Sequence, residues 1–418
     1  VASERRYRVL VVGGGPAGLA AATAAARAGA RPVALIDVAA DVGGQIWRAD
    51  GGAPAPKAAA CRNAAVRAGV EILSGTTVVD APAPGTLAVA DSSGAARLIG
   101  YDALVLATGA RELWMPFRGA TDPRVAGAGG LQALVKQGFD VNGARMLVAG
   151  TGPLLWPVAA RLSAGGARVV ALVEQAPRAA VRGFVASLVA SPAKLVAAAV
   201  LRARLLGVPI RYDRWIAAVA PKPDGLGVIL AGPRGKREHL VVDRIAAGYG
   251  LVPETRLGAL LGCATRDGAL VVDARQATSV AGVFAAGECA GVGGVEKALV
   301  EGELAGLAAA GVAEMPADRV RACAAARRFA ERLATTFQLR PEVLAAATDD
   351  CTLCRCEDVP VGAVRACKDA REAKLLTRCG MGACQGRMCG GAARALFGFS
   401  DDRVRAPLEP TSLVALAS

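Results

Sequence analysis

A chain of 418 residues is long enough for two or three domains with substantial cores. Its hydrophobic fraction of 53% is swollen by alanine, and no uninterrupted apolar stretch reads as a membrane-spanning helix. The formal charge of +13 comes from scattered arginines and aromatics are only 4% of residues, which argues against nucleic acid; a single histidine excludes histidine-based triads and multi-histidine metal sites.

Residues 7–12 form an apolar, β-prone run ending in Gly13-Gly14-Gly15-Pro16-Ala17-Gly18, and an alanine-rich helical segment follows to about Gly29. The run imitates a signal peptide, but its glycines give it another explanation, so it reads as mature protein. Strand, glycine turn and helix together seat a pyrophosphate on the helix N-terminus, which makes Gly13, Gly15, Pro16, Ala17 and Gly18 candidate dinucleotide contacts. A second β-like run, 32–36, delivers Asp37, whose carboxylate can accept a ribose hydroxyl. Residues 101–107 are a further apolar strand ending in Thr108-Gly109.

An echo of the first motif follows. Residues 145–149 read as a strand, Gly150-Thr151-Gly152-Pro153-Leu154-Leu155 as a turn, and 168–173 as the next strand, ending at Glu174. Leu155 stands at the third glycine position, where glycine normally permits close helix–strand packing. Three readings of Gly150, Gly152 and Glu174 stay open: an NAD(P)H site, a site for another adenine nucleotide, or a structural copy holding nothing. With NAD(P)H, Glu174 would favour the form with a free ribose hydroxyl. Between 187 and 206, Pro192, Lys194, Arg202 and Arg204 interrupt an apolar stretch, predicting a buried or partner-facing helix. Residues 281–286 are a returning strand that runs into Gly287 and Glu288.

Seven of the eleven cysteines, Cys351, Cys354, Cys356, Cys367, Cys379, Cys384 and Cys389, fall near the C-terminal end. Cys354 and Cys356 form a C-x-C pair, and Cys384 and Cys389 a C-x4-C pair after a helical-looking spacer. Thiolates select soft iron clusters, and four of them complete a [2Fe–2S] centre. Zinc also takes four thiolates, but C-x-C is an uncommon zinc spacing and His239 lies far upstream. Cys351 and Cys379 could replace members of the preferred four, so spacing alone leaves the ligand set open.

The three motifs across roughly residues 5–310 resemble the two-dinucleotide-domain flavoproteins that include the pyridine nucleotide-disulfide reductases. The resemblance implies FAD, with Glu288 meeting the ribityl chain where the family usually has aspartate. It also implies that Gly43-Gly44-Gln45 approaches the isoalloxazine, making Gly44 and Gln45 candidate contacts. Disulfide reductases place a cysteine pair beside the flavin, whereas residues 41–48 have no cysteine and none lies between Cys61 and Cys263. A dithiol relay needs adjacent thiols, so the C-terminal cysteines are the remaining outlet for electrons.

The C-terminal CRCE and TRCGMGACQGRMC, with the basic stretch 364–376 between them, resemble the bacterioferritin-associated ferredoxin type of [2Fe–2S] domain. That resemblance implies Cys354, Cys356, Cys384 and Cys389 as ligands. Together with ATGARELWMPF, GAGGLQALVK and GTGPLLWPVAARL, nearly the whole chain resembles the larger flavin subunit of hydrogen cyanide synthase, opine dehydrogenases, hydroxyproline dehydrogenases and archaeal proline dehydrogenases. In that group, the resemblance implies, amine oxidation occurs on a separate glycine-oxidase-like flavin subunit, and a small ferredoxin-like subunit accompanies the pair. Some relatives also hold ATP in the second nucleotide domain and FMN between subunits.

The expected architecture is α/β, with two Rossmann-like dinucleotide-binding domains and a small C-terminal [2Fe–2S] domain. Residues 1–115 and 256–330 form a discontinuous FAD domain, 116–255 the second nucleotide domain, 331–350 a linker, 351–400 the cluster domain and 401–418 an extended tail. The expected function is electron transfer between FAD and the cluster to an external acceptor, in a hetero-oligomeric dehydrogenase of a secondary amino acid, an opine or glycine. The setting would be cytoplasmic or peripheral to the inner membrane. The alternative is a self-contained NAD(P)H-dependent reductase. No side chain is assigned to hydride transfer.

Overall fold

The computed structural model describes residues 5–400 and 403–412, which fall into two compact units. One runs to Arg111, resumes over Val252–Glu331 and takes in the C-terminal stretch 403–412; the other comprises Glu112–Leu251 and 332–400. The boundary near 331 falls inside one helix, Ala317–Thr336.

In the first unit, β1 (Arg5–Val12) is flanked by parallel partners β2 (Val33–Ile36) and β6 (Ala96–Leu106), with β3 (Val70–Leu73) beyond β2. Both faces of β1 and β2 are covered, so they read as continuous apolar runs rather than alternating ones. The eleven-residue β6 serves two neighbours along its length. Its first half pairs antiparallel with β5 (Thr86–Asp91), which pairs antiparallel with β4 (Thr76–Ala83), and its last residues pair parallel with the returning strand Val283–Ala285. That last pairing brings Gly287 and Glu288 back to the edge where β1 and β6 end.

Helix α1 (Pro16–Arg27) packs between this sheet and the helix Val295–Ala309. A Cβ on Gly18 would stand 1.8 Å from the Gly13 carbonyl oxygen, and one on Gly302 or Gly306 would stand 2.1 Å from the carbonyl of Ala17 or Ala21. The two helices therefore meet backbone to backbone through a Gly-x-x-x-Gly face. From 403 to 412 the chain has neither helix nor strand and packs on its own unit: Leu408 is buried and donates its N–H to Val79 at 2.8 Å, and Glu409 pairs with Arg256 at 3.0 Å.

The second unit is built on a parallel sheet. β7 (Val125–Gly127), the strand Arg244–Gly248, β8 (Arg145–Gly150), β9 (Arg168–Glu174) and β10 (Ile210–Tyr212) lie side by side in that spatial order. A three-stranded antiparallel meander, Trp215–Lys222, Gly225–Ala231 and Arg237–Val242, adds a second layer. Residues 331–350 contain the last turns of the Ala317–Thr336 helix and the short helix Pro341–Ala345, with Val343 and Ala347 buried. The cysteine-bearing segment does not build a core apart. Leu353, Val359, Val361, Val364 and Ala392 share one apolar cluster with Trp215, Leu226, Leu230 and Ile245 of the meander and sheet.

Gly306→Ala should destabilise the first unit by about 1–3 kcal/mol in chemical denaturation, because the new methyl meets backbone that cannot rotate away. Gly130→Ala, in the helix Ala128–Lys136 with nothing within 4 Å of the new Cβ, should be neutral or stabilising in the same measurement.

Candidate functional site

The first glycine turn divides its work among its residues. Gly13 has φ +108° and a Cβ there would lie 2.2 Å from the Ala107 carbonyl oxygen, so only glycine closes the turn. Gly15 points into open space, with nothing nearer than Gly44 Cα at 3.9 Å, and Pro16 begins α1. Open glycine backbone at a helix N-terminus can admit a pyrophosphate at close range. Asp37 ends β2 half-buried and accepts from the N–H of Gly14 at 2.5 Å and of Ala39 at 2.7 Å. Burial pushes its carboxyl above the ordinary value against the pull of those two N–H groups. The loop at 43–45 reaches this turn, since Gly43 donates to the Gly14 carbonyl at 2.8 Å; Gln45 itself is exposed and accepts from Arg48 at 2.6 Å. Thr108 is held by its hydroxyl on the Glu254 carbonyl at 2.6 Å, and the Glu254 N–H returns to the Gly109 carbonyl at 2.9 Å.

Glu288 supplies the clearest sign of a ligand. Its Oε1 accepts from Gly294 at 2.7 Å and Gly293 at 3.3 Å, while Oε2 is the one carboxylate oxygen buried without a hydrogen-bond partner among the described residues. A buried carboxylate oxygen left unpaired is costly, and a polyol hydroxyl would satisfy it. The donors and the open Gly15 backbone thus fit a flavin dinucleotide.

The second turn keeps the geometry but not the opening. Gly150 has φ +148°, and a Cβ on it would meet the Gly248 carbonyl oxygen at 1.8 Å. Leu155, at the third glycine position, is buried in the core; a Cβ on Gly248 would lie 3.2 Å from its side chain, so glycine on the neighbouring strand makes the room that glycine on the helix would have made. The ring of Phe337 lies on Gly152, 3.9 Å from where its Cβ would stand, and makes an edge contact with Phe184 at 5.2 Å. Hydrogen bonds fasten this strap: Thr151 Oγ1 to the Phe337 carbonyl (3.2 Å), Gln175 Nε2 to the Gln338 carbonyl (2.9 Å), and Arg340 N–H to Gln175 Oε1 (3.1 Å). Glu174 is 3% exposed and spends its oxygens on the N–H groups of Gly152 (2.7 Å) and Ala176 (2.8 Å). Burial raises its carboxyl to about 7 despite them.

Five thiols gather in the C-terminal segment. The sulfurs of Cys354, Cys379 and Cys389 lie within 4.8 Å of one another, all buried. Cys356, exposed, and Cys384, half-buried, contact each other, and Cys384 also acts on Cys389. Although burial opposes it, the N–H groups of Met388, Gly386 and Arg387 and the Cys356 thiol bring Cys384 below the ordinary thiol value. The Cys379 thiol and burial push Cys389 far up, as expected of crowded, buried sulfurs. Backbone N–H groups of Gly380, Glu357 and Cys356 point at Cys354. Sulfurs ringed by amide donors suit thiolates that share a metal. Cys351 turns instead to Thr348, at 3.2 Å, and Cys367 to the Ala363 carbonyl, at 3.4 Å, as small apolar side chains of the core.

Residues 7–313 match the pyridine nucleotide-disulphide oxidoreductase family. The chain belongs to this family. It is 34% identical to an opine oxidase subunit of Rhizobium meliloti over 98% of both chains, and 29% identical to the hydrogen cyanide synthase subunit HcnB of Pseudomonas protegens over 95% of this chain and 91% of that one. Among solved structures, an L-proline dehydrogenase from P. horikoshii matches the whole chain and 81% of its own at a TM-score of 0.68 and 20% identity. A thioredoxin reductase from T. acidophilum matches 74% of this chain and 99% of its own at 0.55 and 21%. The protein is therefore a flavin-dependent oxidoreductase of Rossmann-like α/β fold, and FAD is its flavin. The five thiols lie outside the matched residues.

Two parts of this family member carry no signal in the sequence. Lys297 reaches the carbonyls of Gly287 (3.1 Å) and Gly291 (2.8 Å) and pairs with Glu301 at 2.6 Å. Glu301, fully buried, also accepts from the Gly287 N–H at 3.1 Å and from Arg327 at 3.0 Å. This buried network fixes the turn that carries Glu288, yet an i, i+4 Lys/Glu spacing reads as an ordinary solvated pair. Glu112 accepts from the N–H groups of Gly129 (2.8 Å) and Gly130 (3.3 Å), and burial raises its carboxyl. The ARE and GAGG motifs are thus one contact, and a Cβ on Gly127 would stand 2.2 Å from Glu112 Oε2.

Glu174 sets a pH dependence of stability. Its folded value, about 7, lies above the ordinary 4.5, so its contribution is fully present below about pH 4.5 and is lost as pH rises through 7. Glu174→Gln removes that component. The melting temperature of the variant should gain on wild type across this window, by the equivalent of about 3 kcal/mol at most.

Proposed function

We propose that this chain is the electron-transferring flavoprotein member of a hetero-oligomeric dehydrogenase acting on a secondary amino acid, an opine or glycine. The observation that carries the reading is the gathering of five thiols around Cys354 and Cys389 in a family member that has no cysteine pair between Cys61 and Cys263. The names of the relatives, one a subunit of opine oxidase and the other of hydrogen cyanide synthase, support both the role within a larger assembly and the substrate class. The partners would be a glycine-oxidase-like flavin subunit, where the amine loses two electrons, a small ferredoxin-like subunit, and an external acceptor.

FAD would lie with its pyrophosphate on Gly13, Gly15, Pro16, Ala17 and Gly18, a ribose on Asp37, and its ribityl chain on Glu288 beside Gly287. Gly44, Gln45, Thr108 and Gly109 would line the ring. Cys354, Cys356, Cys384 and Cys389 would hold a [2Fe–2S] cluster, with Cys379 packed against it as a thiol. The flavin takes electrons in pairs and the cluster carries them singly, which is the conversion such a protein must supply. For Gly150, Gly152 and Glu174 the strap of Phe337–Arg340 favours the structural copy, and it weighs against the NAD(P)H-dependent reductase.

Visible and paramagnetic resonance spectra of the chain and its co-purifying subunits test the reading. Reduction by an amine such as D-hydroxyproline, an opine or glycine is expected only with a second flavoprotein present; prompt bleaching of the isolated chain by NADH would establish the reductase instead.

Iron per chain tests the ligand set. Cys356→Ser should lose most of the iron and keep FAD, whereas Cys379→Ser should keep both. Iron retained in the first variant, or lost in the second, would redraw the set.

A further inference from the structure

The loop after β6 presents an open face: Gly109 has φ +77° and a Cβ on it would meet nothing within 4 Å. Two groups hold this loop. One is Cys289, fully buried, whose sulfur lies 3.3 Å from the carbonyls of Leu106 and Ala286 and receives the N–H groups of Thr108 and Gly109. The other is Glu254, which takes the Thr108 hydroxyl on its carbonyl and sends its own N–H to the Gly109 carbonyl. Cys289 is closed inside the core, whereas Glu254 is tied outward.

The Glu254 carboxylate accepts from Arg111 at 2.6 Å and, in a two-pronged contact, from Arg256 Nε at 2.8 Å and Nη2 at 3.2 Å. Burial raises the carboxyl, and the two guanidinium groups more than reverse this and hold it below the ordinary value, so the group stays ionised. Arg256, its side chain 20% exposed, gives its remaining donors to the C-terminal stretch: Nη1 to the Leu408 carbonyl at 3.0 Å and Nη2 to Glu409 at 3.0 Å. Val404 and Leu408 seat that stretch in the apolar cluster that also contains Leu257 and Cys289, while Arg403, Arg405, Ala406, Pro407 and Pro410 are exposed. An exposed, isolated ion pair contributes little to a structure. Arg256 differs, because it is mostly covered, grips its carboxylate with two nitrogens and joins two segments about one hundred and fifty positions apart.

We propose that Arg256 is a positioning residue for the flavin, and that the stretch 403–412 is the anchor it works from. The proposal rests on the reading that Thr108 and Gly109 line the flavin ring. Glu254 cannot shift its side chain far without moving the carbonyl and N–H that clasp the loop, and Arg256 decides where that side chain sits. Arg111 holds the same carboxylate but reaches it from the loop's own segment, so it does not fix the loop against the rest of the unit. The C-terminal stretch is thereby part of the flavin site, although its own residues bind no flavin.

The test is titration of the FAD-stripped, full-length protein with FAD, read by flavin fluorescence and by the gap in melting temperature between the loaded and stripped forms. Arg256→Met should bind FAD about fivefold to tenfold more weakly and narrow that gap. A purely structural role would lower both melting temperatures together and leave the gap as it is. Glu409→Gln, a milder change that serves if Arg256→Met does not fold, should weaken FAD in the same direction, and adding it to Arg256→Met should cost nothing more, since the two act along one line. Arg5→Met, which breaks an ion pair with Glu71 in the same unit, should leave the affinity unchanged. An unaffected Arg256→Met, additive effects of the two substitutions, or an equal loss in Arg5→Met would overturn the inference. Thr108→Val tells the two ways of failing apart: if it weakens FAD while Arg256→Met does not, the loop lies at the flavin and only the anchor is wrong, and if neither does, Thr108 and Gly109 do not line the ring.

Discussion

The first unit depends on backbone meeting backbone. Where α1 begins, the Gly13 carbonyl lies under Gly18, and one turn to the other side the carbonyls of Ala17 and Ala21 lie under Gly302 and Gly306. These contacts let a helix sit low enough on the sheet to present its N-terminus at the end of β1, and they set the helix Val295–Ala309 against it. That second helix carries Lys297 and Glu301, whose buried pair holds the Gly287 turn, so the position of Glu288 is a consequence of the same close approach. A methyl group anywhere on this path would move the turn at Gly15 and the turn at Glu288 together.

Two turns of the same form have diverged through what lies on top of them. At Gly15 the backbone faces open space and the acid at the end of β2 is half exposed. At Gly152 an aromatic ring and a hydrogen-bonded strap cover the backbone, and the acid at the end of β9 is buried with both oxygens spent. The fold tolerates Leu155 because Gly248 yields the space across the sheet. The unit that carries this covered turn shares its core with the cysteine-bearing segment.

What was legible in the sequence follows the range of the physical constraint. The glycine fingerprint, the returning strand and the C-x-C and C-x4-C pairs impose local requirements and could be read directly. The cover over the second turn could not, because it comes from Phe337 and Gln338, whose partners Thr151 and Gln175 lie more than one hundred and sixty positions away. The gathering of Cys379 with Cys354 and Cys389 depends on the loop after the helix Ala370–Thr377, which Arg378 ends in a left-handed conformation that spacing does not predict. Lys297 and Glu301 were invisible for the opposite reason: their spacing is what solvent-facing helices use, and only the crowding around Gly302 and Gly306 shows that this one is buried.

The shared core also governs how the thiol segment can be handled. Leu353, Val361 and Val364 are buried in one apolar cluster with Trp215, Leu226 and Leu230, so cutting the segment away would expose apolar surface on both sides of the cut. Metal bound by its thiols would be linked by mass action to the folding of the parallel sheet and meander as well as to the loop that grips it. A chelator would then act as a denaturant of a nucleotide-binding fold that contributes no ligand of its own.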